Sequence, residues 1–117
     1  MDRKTDRMYF LHIRDAIILL EQWTKHTTLS DLKSDEKLES AVIRQLEIIG
    51  EAARHISKES KLETPEIPWE PIVGIRNRLI HGYFSINLEK VWRVIKKDIP
   101  KLKIQIYSLL ETLEKEE

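Results

Sequence analysis

The sequence predicts an all-α fold, an antiparallel helical bundle of four long helices plus one short helix, and three observations favour it. Glycine and proline are scarce, at 3 and 4 of 117 residues, so few tight turns are available. Leucine, isoleucine, glutamate and lysine are frequent, and apolar residues recur at helical spacing. With 41% apolar and 34% charged residues the chain is globular in composition, and its length fits a single domain over residues 1–117.

The first predicted helix covers residues 5–25. Its apolar stripe recurs at intervals of three and four residues, as in an amphipathic helix, and consists of Phe10, Ile13, Ile17, Leu20 and Thr24. Further apolar side chains widen this stripe, so we expect the helix to contact a second partner; they are Leu11, Ile18 and Trp23. The polar stretch HTTLSDLKSDEK that follows predicts a loop.

The second predicted helix covers residues 35–58, with Ser34 as its N-terminal cap. Its apolar stripe consists of Leu38, Val42, Leu46, Ile49, Ala53 and Ile56. Gly50 lies inside this otherwise favourable helix, where glycine costs about 1 kcal/mol relative to alanine. Because a glycine permits close approach of another backbone, we expect tight helix packing beside Glu47 and Glu51.

Three prolines interrupt the helical pattern between residues 62 and 71, and a third helix is predicted over residues 69–80, with Pro71 in its first turn. Gly82 is placed to end this helix in a left-handed cap. A fourth helix starts after Asn87, which is a good N-terminal cap. Pro100 cannot continue it without a kink, so a last helix is predicted over residues 100–115.

Charge and cysteine content exclude several classes of protein. Twenty basic and twenty acidic residues cancel, so nucleic-acid binding would depend on a local patch or on an oligomer. The absence of cysteine excludes disulfides and thiolate metal sites. The N-terminus lacks the apolar core of a signal peptide, and no apolar run approaches the length of a membrane span. We therefore expect a cytoplasmic protein that does not bind membranes.

Known metal and cofactor motifs are missing from the sequence. The four histidines form no i, i+4 pair and no HExxH motif, and three scattered glycines cannot build a phosphate loop. Glu47 and Glu51 have the spacing of a metal-binding bundle but lack Glu-x-x-His partners. Carboxylates four residues apart are most often a solvated helix face. We expect neither a metal nor a cofactor.

The stretch IRNRLIHGYF, residues 75–84, concentrates the chemistry of the chain. Arg76 is a permanent cation that fits a phosphate, and His81 can exchange a proton near neutral pH. Asn77 can orient either group, so the three suit metal-free cleavage of RNA, in which the 2′-hydroxyl is the attacking group. Another interpretation, left open by the spacing, is structural: His81 caps the helix, and Arg76 and Arg78 pair with Glu47 or Glu51. The two arginines lie about 200° apart on a helix, which indicates different roles.

Beyond these residues, the chain resembles a known family. The pattern Arg76-NRLI-His81-Gly82-Tyr83 is similar to the signature of HepT-type HEPN domains, the toxin half of MNT-HEPN toxin–antitoxin pairs. Four blocks share the order and spacing of that family: YFLHIRDAI, RQLEIIGEAA, IPWEPIVGIRNRLIHGYF and VWRVIKKDIPKL. Nearly the whole chain is covered.

The resemblance implies a homodimer that sets two Arg–His motifs across a shared cleft, and a type VII system toxin that cleaves tRNA or mRNA without metal. It implies Arg76 and His81 as the catalytic pair, with Asn77 at the polar position that commonly follows the arginine. It implies that a nucleotidyltransferase antitoxin silences the enzyme by adding AMP to Tyr83. Two alternatives are a nucleotide- or RNA-binding module without catalysis and a dimeric helical adaptor, each partnering a nucleotidyltransferase.

Overall fold

The computed structural model describes the backbone of residues 3–81 and 86–116, and the side chains of residues 5–79 and 86–116. This part of the chain is helical and contains no strand, which confirms the all-α class. The helices are α1 (Arg3–Thr24), α2 (Leu29–Ser34), α3 (Glu36–His55), α4 (Lys58–Glu63), α5 (Trp69–His81), α6 (Leu88–Arg93) and α7 (Ile99–Glu116). A π-helical turn, Val94–Asp98, joins α6 to α7. None of these helices is long and apolar enough to cross a membrane.

Helix α3 packs closely against both α1 and α5, while α7 packs along α1. The apolar stripe predicted for the first helix forms the inner layer of the core, where Ile13, Ile17 and Leu20 are completely buried. Val42 of the α3 stripe is also completely buried and belongs to the same hydrophobic core. Burial of these stripes is the main favourable contribution to folding and fixes the position of α3 against both neighbours.

The stretch predicted as a loop contains a short helix, α2, so that prediction was wrong over Leu29–Ser34. The helix starts in a capping box: the Thr28 hydroxyl accepts from the Asp31 backbone N–H at 3.2 Å, and the Asp31 carboxylate accepts from the Thr28 N–H at 2.8 Å. Leu32 is completely buried and anchors α2 to the core. One buried leucine and a capping box suffice here because α2 packs against α3 and α6. A second short helix, α4, was also missed.

The cap of α3 is Asp35 and not Ser34. The Asp35 carboxylate accepts hydrogen bonds from the backbone N–H groups of Lys37 and Leu38, at 3.0 and 3.1 Å. Ser34 is the last residue of α2, and its hydroxyl turns back to the Asp31 carbonyl at 3.4 Å. Because α2 ends at Ser34, the cap of α3 lies one residue later than predicted.

Replacing Asp35 by alanine should lower the free energy of unfolding by about 0.5–2 kcal/mol, because two N–H groups at the start of α3 lose their acceptor. Ser34→Ala is the matched control and should change it by less than about 0.5 kcal/mol. Urea unfolding followed by circular dichroism measures both. Equal losses for the two variants would contradict the assignment of Asp35 as the cap.

The break predicted at Pro100 is replaced by a local widening of the helix. In the π-helical turn the Ile99 N–H bonds to the Val94 carbonyl, five residues back. Proline has no N–H to donate and crowds the preceding turn, and the wider turn directly before Pro100 accommodates it. The fourth and last predicted helices therefore run on from Leu88 to Glu116. Asn87 caps α6 as predicted, through a 3.1 Å bond from the Lys90 N–H.

Candidate active site

Arg76 lies where α5 approaches α3 most closely, and Gly50 of α3 makes that approach possible. A methyl group added at Gly50 would overlap the Cβ of Arg76 and lie 3.1 Å from its backbone nitrogen and 3.2 Å from the Ile72 carbonyl oxygen. The backbones of the two helices are thus in direct contact. The tight packing predicted from the mid-helix glycine is confirmed. The contact with α3 restricts the position of the Arg76 backbone.

The Arg76 guanidinium is held on two sides. Its Nε lies 2.9 Å from Oε2 of Glu51, and its Nη1 donates to Oδ1 of Asn77 at 3.1 Å. Nη2 has no partner among the side chains that the structure describes, and 29% of the Arg76 side chain is exposed. Among the described residues, the Nη2 end of the guanidinium is therefore left for an anion, while Glu51 and Asn77 restrict its orientation.

Glu51 collects three cationic or potentially cationic groups. Its Oε1 lies 2.8 Å from Nη2 of Arg54 and 3.1 Å from Nε2 of His55. Its Oε2 is sealed from solvent and accepts no hydrogen bond from the described residues, so the attraction to Arg76 is ionic. The hydrogen bond from Arg54 is the largest influence that lowers the pKa of Glu51, to about 2, with further contributions from His55 and the charge of Arg76. Glu51 stays ionised at any physiological pH.

This depressed pKa predicts a pH-dependent contribution to stability. A carboxyl group whose pKa falls on folding stabilises the protein above its unfolded pKa, and the contribution disappears as pH drops through the folded value. The effect of Glu51 should be complete above about pH 4.5 and should decline toward pH 2. Glu51→Gln should therefore destabilise the protein more at pH 7 than at pH 3, as measured by urea unfolding. For the exposed Glu111→Gln we expect no such difference, and a Glu51→Gln effect that is equal at both pH values would contradict the assignment.

A cleft of about 150 Å³ between α1 and α3 adjoins the Glu51 cluster. We call it the α1–α3 cleft, and its lining residues are Tyr9, His12, Arg44, Glu47, Ile48, Glu51, Ala52 and His55. The rings of Tyr9 and His55 stack with centroids 5.1 Å apart and an angle of 14° between their planes. Glu47 lines this cleft and makes no ion pair or hydrogen bond with the rest of the described chain. The two acids predicted as a pair thus differ, since only Glu51 contacts Arg76.

The remaining predicted site residues fall in two groups. His81 is the last residue of α5, but its side chain, and the whole of Gly82 and Tyr83, lie outside the described residues. Arg78 is exposed and lines a groove between α5 and the Ile86–Asp98 stretch, away from the Glu51 cluster. The two arginines therefore face different surfaces, as their spacing on the helix predicts.

Sequence reasoning missed His55 and Tyr9 as neighbours of the site, whereas the position of Arg54 near Glu51 could be inferred from the sequence. His55 lies four residues after Glu51 on the same helix, and that spacing could have revealed it. Tyr9 comes from a different helix, and only the packing of α1 on α3 brings it to His55. No cluster of three or more metal-ligating side chains occurs in the part of the chain that the structure describes.

The fold and the site define a helical bundle that presents an oriented arginine on a helix ending in histidine. Comparison with known proteins identifies the group: the chain belongs to the HepT-like ribonuclease family, whose model matches residues 13–109. The resemblance seen in the sequence is confirmed.

Three relatives illustrate the similarity. A Methanocaldococcus jannaschii protein named "Gamma-glutamylcyclotransferase and putative RNase" is 42% identical over 97% of this chain, which spans only 51% of that relative. A "Probable ribonuclease HepT" of Thermococcus cleftensis is 41% identical over 86% of this chain and 92% of its own length. A "Putative RNase" of Caldanaerobacter subterraneus subsp. tengcongensis is 38% identical over 92% of this chain and 96% of its own length. No solved structure gives a significant match.

Proposed function

We propose that this protein is a cytoplasmic, metal-independent endoribonuclease and the toxin of a type VII toxin–antitoxin pair. The observation that carries the proposal is the Arg76 guanidinium, which Glu51 and Asn77 anchor and which no other described side chain pairs with, on the helix that ends at His81. Membership of a ribonuclease family supports the reaction class, and the relatives named as RNases support it further.

Arg76 binds the scissile phosphate in this proposal. The 2′-hydroxyl oxygen attacks the adjacent phosphorus, the new O–P bond forms, and the P–O5′ bond breaks to give a cyclic phosphate and a free 5′-hydroxyl. Negative charge accumulates on the phosphoryl oxygens, and a fixed guanidinium stabilises it without reorganising. Glu51 and Asn77 are positioning residues, because they restrict the side chain that contacts the phosphate.

His81 moves the proton. As a neutral imidazole it takes the 2′-hydroxyl proton, or as an imidazolium it protonates the departing O5′. A single histidine cannot act as the base toward the 2′-hydroxyl and as the acid toward O5′ in the same step. Arg76 and His81 are five residues apart, which on an α-helix corresponds to about 140° of rotation and about 7.5 Å of rise. A homodimer that sets two copies of α5 together would supply a second histidine and arginine to one cleft.

The test of the reaction is cleavage of RNA by the purified protein in excess EDTA. Products ending in a 2′,3′-cyclic phosphate and a 5′-hydroxyl support the proposal. RNA binding without cleavage, with or without divalent metal, would favour the alternative of a non-catalytic binding module. A protein that neither binds nor cleaves RNA would favour the alternative of a helical adaptor.

Regulation by an antitoxin is a second part of the proposal. Tyr83 follows the proposed proton-transfer residue His81 by two positions, and an AMP group on it would add bulk and negative charge that disfavour RNA binding. The proposed partner is a nucleotidyltransferase of the MNT type, which the resemblance implies.

Co-expression with such a nucleotidyltransferase should add the mass of AMP to the peptide that contains Tyr83 and should abolish RNA cleavage. Intact-protein and peptide mass spectrometry measure the modification. Tyr83→Phe should stay unmodified, whereas Tyr107→Phe, which removes an exposed tyrosine of α7, should be modified like the parent. Loss of activity on co-expression with no change of mass would reject modification and indicate inhibition by binding.

A further inference from the structure

The α1–α3 cleft and Arg76 are separated by a single carboxylate group, that of Glu51. Glu51 binds Arg76 through Oε2 and His55 through Oε1, and His55 forms part of the wall of the cleft. A strand of RNA whose phosphate binds Arg76 would therefore bring an adjoining base or sugar to the mouth of this cleft. The cleft is a second feature of the surface around Arg76, and the proposed reaction does not use it.

The walls of the cleft are suited to a flat ring. Tyr9 and His55 stack in parallel, and His12 meets Tyr9 edge to face at a centroid distance of 6.1 Å. Aromatic platforms of this kind bind bases of single-stranded nucleic acids by stacking. The cleft is open to solvent, and its volume of about 150 Å³ is enough for one six-membered ring. The size favours a pyrimidine over the two fused rings of a purine.

The acids of the cleft favour a ligand with an amino group. Glu47 and Glu51 both line it, but Glu51 is already paired with Arg54 and Arg76, so Glu47 is the acid left to attract a donor. Glu47 is half-buried and has no partner among the described residues, so its oxygens are open to a donor. Cytosine offers a donor as its N4 amino group, whereas uracil has a carbonyl oxygen at the same ring position.

We propose that the α1–α3 cleft is a cytosine-binding subsite for the nucleotide next to the phosphate held by Arg76. The base stacks on the Tyr9–His55 pair, and its N4 amino group donates to Glu47. Arg44, also in the cleft wall, is placed to meet the backbone of the same strand. This assignment rests on the proposed nuclease function for its biological use, but binding of the base is separable from cleavage.

The experiment measures binding of the full chain to fluorescent 2′-O-methyl hexanucleotides of cytosine, uracil or adenine, because the methyl group blocks attack by the 2′-oxygen. We expect the cytosine oligomer to bind about tenfold more tightly than the other two. Glu47→Gln should reduce the preference for cytosine over uracil to below about twofold. Glu39→Gln is the matched control, since Glu39 is also a half-buried acid of α3 but lies outside the cleft, and it should leave the preference unchanged.

Equal binding of the three oligomers, or no binding of any, would overturn the subsite, and a preference that survives Glu47→Gln would overturn the role of Glu47. Cytosine preference in a protein that cleaves no RNA would retain the subsite and reject the nuclease. Cleavage of RNA without cytosine enrichment beside the cut would retain the nuclease and reject the subsite.

Discussion

Replacing Arg76 by alanine should lower the rate of RNA cleavage about 10²- to 10³-fold, the loss observed when one fixed donor to a developing oxyanion is removed. His81→Ala should lower it about 10²- to 10⁴-fold, because proton transfer then depends on water. Both effects are measured as single-turnover rates on one RNA substrate, with circular dichroism to verify the fold.

The control is Arg78→Ala, which removes the same charge from the same helix but on another surface. We expect its single-turnover rate to fall less than about tenfold, through weaker long-range attraction of RNA. If Arg78→Ala slows cleavage as much as Arg76→Ala, the effect would come from the overall charge and not from the oriented guanidinium. Arg76→Lys sharpens the comparison, because a lysine keeps the charge but cannot bind Glu51, Asn77 and a phosphate through one planar group.

Helices with a continuous apolar stripe could be predicted from the sequence because their period alone determines the buried face. Residues 10 to 24 of α1 are an example, whereas the start of α6 could be predicted from its cap, Asn87. The features that were not predicted have local causes, which the apolar spacing does not reveal. Helix α2 depends on the burial of a single leucine, Leu32, and the π-helical turn depends on how the chain accommodates Pro100.

The candidate site was predicted in part. Arg76 and Asn77 could be selected by their chemistry, and the pairing of Arg76 with Glu51 was one of the alternatives that the spacing left open. Which of Glu47 and Glu51 contacts Arg76 could not be predicted, because the choice depends on the register between α3 and α5. The stack of Tyr9 on His55 depends on two helices separated by a long stretch of chain, and no spacing rule connects them.

Glu51 contributes both to the stability of the helical bundle and to the orientation of Arg76. The carboxylate links α3 to α5 through Arg76, and it holds Arg54 and His55 beside the α1–α3 cleft. A single ionised side chain thus defines the boundary between the proposed phosphate and base positions. This arrangement requires α5 to lie against α3 in one register, and the residue that permits it is Gly50.

Replacing Gly50 by alanine should therefore destabilise the protein and impair cleavage together. An added methyl would overlap the Cβ of Arg76 and press on the Ile72 carbonyl oxygen at 3.2 Å, so α5 must shift. Overpacking of this kind costs about 1–3 kcal/mol, which exceeds the gain of about 0.5–1 kcal/mol from removing a glycine inside a helix. A displacement of Arg76 of about 1 Å would slow cleavage by about 10²-fold. The measurements are urea unfolding and single-turnover rates.

Gly74→Ala is the matched control, because Gly74 is also a helical glycine and its added methyl would meet only Nη1 of Arg78, at an ordinary 3.5 Å. With no overlap, the helix propensity of alanine should raise the free energy of unfolding by about 0.5–1 kcal/mol and leave cleavage unchanged. The two substitutions are chemically identical, but their effects on the free energy of unfolding should have opposite signs. If both variants gain stability and both cleave RNA like the parent, the α3–α5 contact does not fix Arg76, and the orientation of the arginine must then come from Glu51 and Asn77 alone.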